Sequence, residues 1–249
     1  MNTGIKIIGC AFALAMSQAT LHSDGTVSAS SVATRGGRVG WARMITPDYQ
    51  WNIHDNQDPK LARFIQRQTS LNIGPVWNSV SPEDLEGLCS YPFVYVKDLL
   101  RVSGPLALRN IQEYLRRGGF LCVDPCTAHM SSEDAQTFLH MHADWFARLI
   151  PGCVVRELPD NHPLYRCYFT VGVDDLFTPD MINLGAVKPS HIGMWGVFQG
   201  DRMIAVLSIS GLECGWPQTP ERVLGCMKMI VNIYVFAMTR AVDAASRHP

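Results

Sequence analysis

The sequence predicts an α/β protein, a three-layer sandwich in which helices cover both faces of a mainly parallel sheet. Three observations predict it. Short apolar, β-rich runs alternate with amphipathic stretches at helical spacing, the pattern of βαβ units. One unit is complete: Tyr91 to Val96 (YPFVYV), a helix of about four turns, then Phe120 to Val123 (FLCV). The length of 249 residues with 47% hydrophobic residues suits one domain with one sizeable core.

The elements follow in order. Val39 to Ile45 is the first strand, leading into a loop at 46–52. Pro59 to Gln68 is a helix with Leu61, Phe64 and Ile65 on one face and Lys60, Arg63 and Arg67 on the other. Leu71 to Trp77 is a weaker strand. Ser81-Pro82-Glu83-Asp84 reads as a helix start, with Ser81 as N-cap and acids in the first turn. Pro92 suits the beginning of the Tyr91–Val96 strand. The next helix opens at Ser103-Gly104-Pro105, repeats Leu108, Ile111 and Leu115, and stops at Gly118-Gly119 in a left-handed cap. After Phe120–Val123 and Asp124-Pro125, a helix runs from Ser131 to Leu149 and ends at Pro151-Gly152. Val154 to Leu158 is a short strand, and 174–190 reads as a long loop. His191–Phe198 and Arg202–Ile209 flank a hairpin turn at Gln199-Gly200-Asp201. The terminal helix covers roughly Glu221 to Ala241. Lys228 and Asn232 interrupt its apolar run, so it reads as core-packed rather than membrane-spanning.

Residues 1–19 read as a signal peptide: Lys6, the short apolar run Ile7 to Met16, then Ser17-Gln18-Ala19 as a cleavage site. Residues 20–37 read as a flexible linker rich in small and polar residues, and 38–245 as the domain. A periplasmic or secreted location follows, with no stable membrane span beyond the signal peptide. The net charge of −1, without a basic run, argues against nucleic acid as a partner. Removal of Cys10 leaves seven cysteines, an odd number, and no disulfide framework is expected.

Trp41-Ala42-Arg43, Tyr91-Pro92-Phe93-Val94-Tyr95, Leu115 to Leu121 with Asp124, Asp160-Asn161-His162-Pro163-Leu164 and Asn232-Ile233-Tyr234-Val235 together resemble the bacterial domain-of-unknown-function family 4159 (DUF4159). The resemblance implies a class I glutamine amidotransferase-like, flavodoxin-like fold over roughly residues 39–238. It implies no activity. Active amidotransferases carry a nucleophilic Cys in a Gly-rich turn between strand and helix. Here the nearest imitation, Gly225-Cys226, falls inside the terminal helix, and Pro125 stands where the family often has a second acid after Asp124.

Open α/β sheets bind ligands at the carboxyl ends of their strands. By that rule Asp124, with Cys126 and His129 in the following loop, is a candidate catalytic group, as a carboxylate orienting a Cys–His pair. The bland alternative is that Asp124 caps the turn. His162 is a further candidate, or else part of a turn in which Asp160 and Asn161 bond to local backbone. Asp48, Tyr49, Trp51 and Asn52, beside His54, combine aromatic and amide or carboxylate groups suited to a sugar or peptide. Trp216 near Glu213 offers a further aromatic surface, and the alternative is that these residues close the end of the core. His140 and Asp144 share a helix face while His142 points elsewhere, so one helix supplies at most two metal ligands and no metal site is expected. No Gly-x-Gly-x-x-Gly, Walker loop or Gly-x-Ser-x-Gly elbow is present, and no cofactor is expected. The reading is an exported amidotransferase-like domain acting as a non-catalytic binding or assembly module of the cell envelope, with a glycan or envelope protein as partner. The alternative is a hydrolase of amide or glycosidic bonds that uses the Asp and His residues at the strand ends.

Overall fold

The computed structural model describes residues 38–47, 51–52, 57–74, 77–125, 131–176, 193–209, 211–216 and 220–246. The expected signal peptide and linker lie outside them. A seven-stranded sheet is built from β2 (Ala42–Met44), β4 (Asn78–Val80), β5 (Phe93–Val96), β6 (Phe120–Val123), β7 (Val154–Glu157), β8 (Met194–Gln199) and β9 (Arg202–Ser208). Its order is β4-β2-β5-β6-β9-β8-β7, and β1 (Arg38–Val39) pairs with β3 (Asn72–Ile73) beside it. Only β8 runs against the rest, because it is antiparallel to both β9 and β7. The five parallel strands β2, β4, β5, β6 and β9, counted along the chain, lie in the spatial order 2-1-3-4-5. That is the doubly wound order whose ligand crevice opens between the first and third strands. Here those strands are β2 and β5.

Helices cover both faces. On one lie α2 (Leu85–Cys89), α3 (Pro105–Arg116) and α4 (Ser132–Leu149), with Leu88, Ile111, Tyr114, Leu139 and Phe146 packed on Val94, Leu121 and Val123. On the other lie α1 (Asp58–Gln68), the short α5 (Leu212–Gly215) and the long α6 (Pro220–Ser246). Each fully buried side chain of this size contributes roughly 1.5–3 kcal/mol.

Local chemistry accounts for most boundaries. Ser131 and Asp134 form a reciprocal capping box at the start of α4. Asp84, rather than Ser81, caps α2: its Oδ1 accepts from Gly87 N at 2.9 Å, while Ser81 only closes the preceding turn. The first strand is interrupted after Val39, so β1 joins β3 and β2 begins at Ala42. At the end of α3 the two glycines have different tasks. Gly118 adopts φ +102°, and a Cβ on Gly119 would enter the Tyr114 ring. The Tyr114 hydroxyl accepts from Phe120 N at 3.2 Å, which ties the helix to the start of β6.

α6 is apolar on nearly all sides because it is the central helix of its layer. No helix among the described residues is long and apolar enough to cross a membrane. Asn232, fully buried in it, donates to Phe169 O and accepts from Phe169 N, both at 2.8 Å. The polar residue that breaks the apolar run thus serves as the clamp for the 158–176 segment. Gly225 lets that segment touch the helix, since a Cβ there would enter the Asp175 carbonyl. Gly225→Ala should therefore lower stability by at least about 2 kcal/mol, measured by denaturant unfolding.

Candidate functional site

The α6 face of the sheet changes character along its strands. Side chains of a strand alternate between faces, so Trp41 and Arg43 share this face on β2. Phe93, Tyr95 and Lys97 share it on and just after β5, and Phe120, Cys122 and Asp124 on and just after β6. Each row starts apolar and ends in an ionisable group at the carboxyl end. Registration aligns Arg43 with Tyr95 and Tyr95 with Cys122. The polar ends of three strands therefore meet at and beside the β2/β5 switch point.

What gathers there is a buried ionic centre. Arg43 is 2% exposed and Glu213 1%. The Arg43 guanidinium donates through Nε to Asp58 Oδ2 at 3.0 Å and through Nη2 to Asp58 Oδ1 at 2.5 Å. Its Nη2 also reaches Glu213 Oε1 at 2.7 Å. Lys97 Nζ reaches Glu213 Oε2 at 2.9 Å. Burial alone would lower the Arg43 pKa, but Asp58 and Glu213 outweigh it and hold it above its usual value. Burial would likewise raise Glu213, yet Arg43 and Lys97 keep it below the usual range. Aromatic rings enclose the guanidinium: Trp77 and Tyr95 lie 5.0 Å from its carbon and Trp216 5.7 Å. Trp77 in turn stacks on Trp41 with centroids 4.2 Å apart.

Asp124 holds the other side of the centre. Its Oδ1 accepts from Leu212 N at 2.9 Å, and its Oδ2 accepts from Glu213 N at 3.0 Å and from the Tyr95 hydroxyl at 2.8 Å. These bonds pin the start of α5, entered through Gly211 at φ +59°, and so deliver Glu213 to the two cations. Complete burial pushes the Asp124 carboxyl up to about 6, against the pull of its three donors. An acid whose folded pKa exceeds its unfolded value binds more protons when folded. Its contribution to stability is present below its usual value near 4 and is lost as pH rises through about 6. Asp124→Asn should remove that slope, worth about 3 kcal/mol across the window, in urea unfolding followed from pH 4 to 7.

A family model, Domain of unknown function (DUF4159), matches residues 41–238. The chain belongs to the DUF4159 family. A comparison with curated proteins finds no match. In this DUF4159 protein the matched span runs from Trp41, two residues before Arg43, to the last turns of α6, and so contains the whole centre.

Of the residues singled out from sequence, the structure brings Asp124 and Trp216 into this one centre. Trp216 is fully buried, with Trp77 and the Arg43 guanidinium near its ring, so it offers no open aromatic surface. His162 is not brought there. It caps a 3-10 turn at Pro163–Tyr165, its Nδ1 accepting from Leu164 N at 3.2 Å, and its ring lies 5.7 Å from Phe236. Phe236 packs on Phe120 at the start of β6, whereas Asp124 follows the end of that strand, about 13 Å of rise away. Trp51 and Asn52 are half-buried in a turn. Asp48, Tyr49, His54, Cys126 and His129 lie outside the described residues. His142 is buried, with Nε2 3.3 Å from Leu99 N, while His140 and Asp144 are exposed. Among the described residues no group of three metal-ligating side chains occurs.

Sequence reasoning missed Arg43, Asp58, Trp77, Tyr95, Lys97 and Glu213 as a group. One signal was available. Arg43 and Lys97 fall on the same parity as Trp41 and Phe93, so a strand read as buried on both faces carried charges pointing inward.

Proposed function

We propose that this protein is an exported, non-catalytic binding module of the cell envelope, taking its ligand at the β2/β5 crevice. The observation that carries the reading is that every acidic and basic side chain gathered there is already held by a partner. Asp58 and Glu213 hold Arg43, Glu213 also holds Lys97, and Asp124 accepts three hydrogen bonds. A general base needs a free lone pair facing its substrate, and a nucleophile needs an accessible low-pKa group. Burial instead pushes the Cys122 thiol well up, and that of Cys226 up to about 12. The amidotransferase-like fold implied by the resemblance agrees with a degenerate site. The export signal at residues 1–19 supports the envelope location.

A second reading, a hydrolase of amide or glycosidic bonds, is favoured by one observation: a carboxyl held at about 6 is poised to exchange protons near neutrality. Assays of the purified protein on amide and glycoside substrates separate the two. The binding reading predicts no turnover above background. Robust turnover that disappears in Asp124→Ala would overturn it.

A further inference from the structure

Buried polar atoms in folded proteins almost always have hydrogen-bond partners, and a cluster of exceptions asks for an occupant. Among the described residues seven buried side-chain nitrogen or oxygen atoms lack a hydrogen bond, and six of them lie in or beside the centre at the carboxyl ends of the strands. Two of the six, Lys97 Nζ and Glu213 Oε1, are nevertheless in ion pairs. The others are Arg43 Nη1, the indole Nε1 atoms of Trp77 and Trp216, and Ser208 Oγ. Arg43 and both tryptophans can only donate. Ser208 follows Val206 by two residues on β9, so it shares the face of Cys122 and Asp124.

The missing partner is thus an acceptor, and charge balance decides its kind. Two cations, Arg43 and Lys97, are already balanced by two carboxylates, those of Asp58 and Glu213, with the Asp124 carboxyl beside them on Tyr95. An anion placed among them would be buried without a free counter-charge, an unfavourable arrangement. A neutral oxygen satisfies the donors and adds no charge. Trp77 is stacked with both Trp41 and Trp216, so a ligand meets its N–H edge rather than stacking on it.

We infer that the centre formed by Arg43, Trp77 and Trp216 is a donor-lined subsite for a neutral carbonyl or hydroxyl oxygen of a small uncharged ligand. The inference rests on the binding-module reading and names the chemistry of its ligand.

The test is nuclear magnetic resonance of the indole N–H groups of the purified protein. Trp145 and Trp195, which lie on the other face of the sheet, serve as internal references. Two sets of probes are titrated: uncharged sugars and acetamides, including N-acetylglucosamine, and the anions acetate, succinate and phosphate. The expected result is a saturable shift of the Trp77 and Trp216 signals with at least one uncharged probe and none with the anions. Trp216→Phe, which keeps a ring but removes the donor, should weaken that binding about tenfold. Shifts with the anions alone would overturn the ligand chemistry while leaving the binding module standing. No shift with any probe, the donors being met by enclosed water alone, would overturn the subsite. Turnover of a probe would overturn the binding-module reading itself.

Discussion

Arg43→Met is expected to lower stability by about 3–5 kcal/mol, the cost of leaving partners of a buried ion pair uncompensated. The Asp58 side chain is 4% exposed and that of Glu213 2%, so water does not replace the lost guanidinium. In a domain of this size the loss corresponds to roughly 10 °C in melting temperature. Buried pairs are often no better than apolar replacements once both partners are removed. Arg43→Met combined with Asp58→Leu should therefore recover about half of the loss, Glu213 keeping Lys97 as its counter-ion. Denaturant unfolding of both single variants and the double variant gives the coupling directly. A loss below about 1 kcal/mol in Arg43→Met would mean that the centre is looser and wetter than its burial indicates.

The second large effect is expected far from the ionic centre. Asn232→Ala should cost about 3–4 kcal/mol, because it strips the N–H and the C=O of Phe169 of their side-chain partner at once. Hydrogen exchange offers a more specific readout than the total. The Phe169 amide should lose protection by at least about tenfold, while amides of β5 and β6 keep theirs relative to global unfolding. Equal loss everywhere would indicate that the 158–176 segment and the sheet unfold as one unit.

How much of this was legible beforehand differs between fold and site. β5, α3 and β6 were readable because each has a local signal: a proline at the strand start, a regular apolar stripe, a Gly-Gly stop. The hairpin of β8 and β9 was readable for the same reason, with Gly200 at φ +59° in its turn. The first strand was less so, since the break between Val39 and Ala42 is dictated by pairing with β3, a partner 34 residues away that no local pattern announces. The start of α2 was misplaced because Ser81 and Asp84 are both good caps, and tertiary placement chose the latter.

The site was legible only at Asp124, where the rule about strand ends points directly. Its partners come from five separated stretches of chain, and their meeting depends on strand order. The order 2-1-3-4-5 brings Arg43 beside Tyr95, and the turn after β9 brings Glu213 back over both. Trp216, beside Glu213, was readable either as an aromatic surface or as closing the end of the core, because nothing local between Gly211 and Trp216 decides it. Burial of α5 follows from the Asp124 carboxylate accepting its first two N–H groups, a contact across 88 and 89 residues.

The most direct test of the central claim, that this buried centre is a ligand site rather than ordinary core, is a high-resolution crystal structure read at one place. The account predicts non-protein density too large to be water within hydrogen-bond distance of at least two of Arg43 Nη1, Trp77 Nε1 and Trp216 Nε1, connected to solvent between the ends of β2 and β5. Protein carbonyls or side chains filling those positions, with the crevice closed above them, would contradict it.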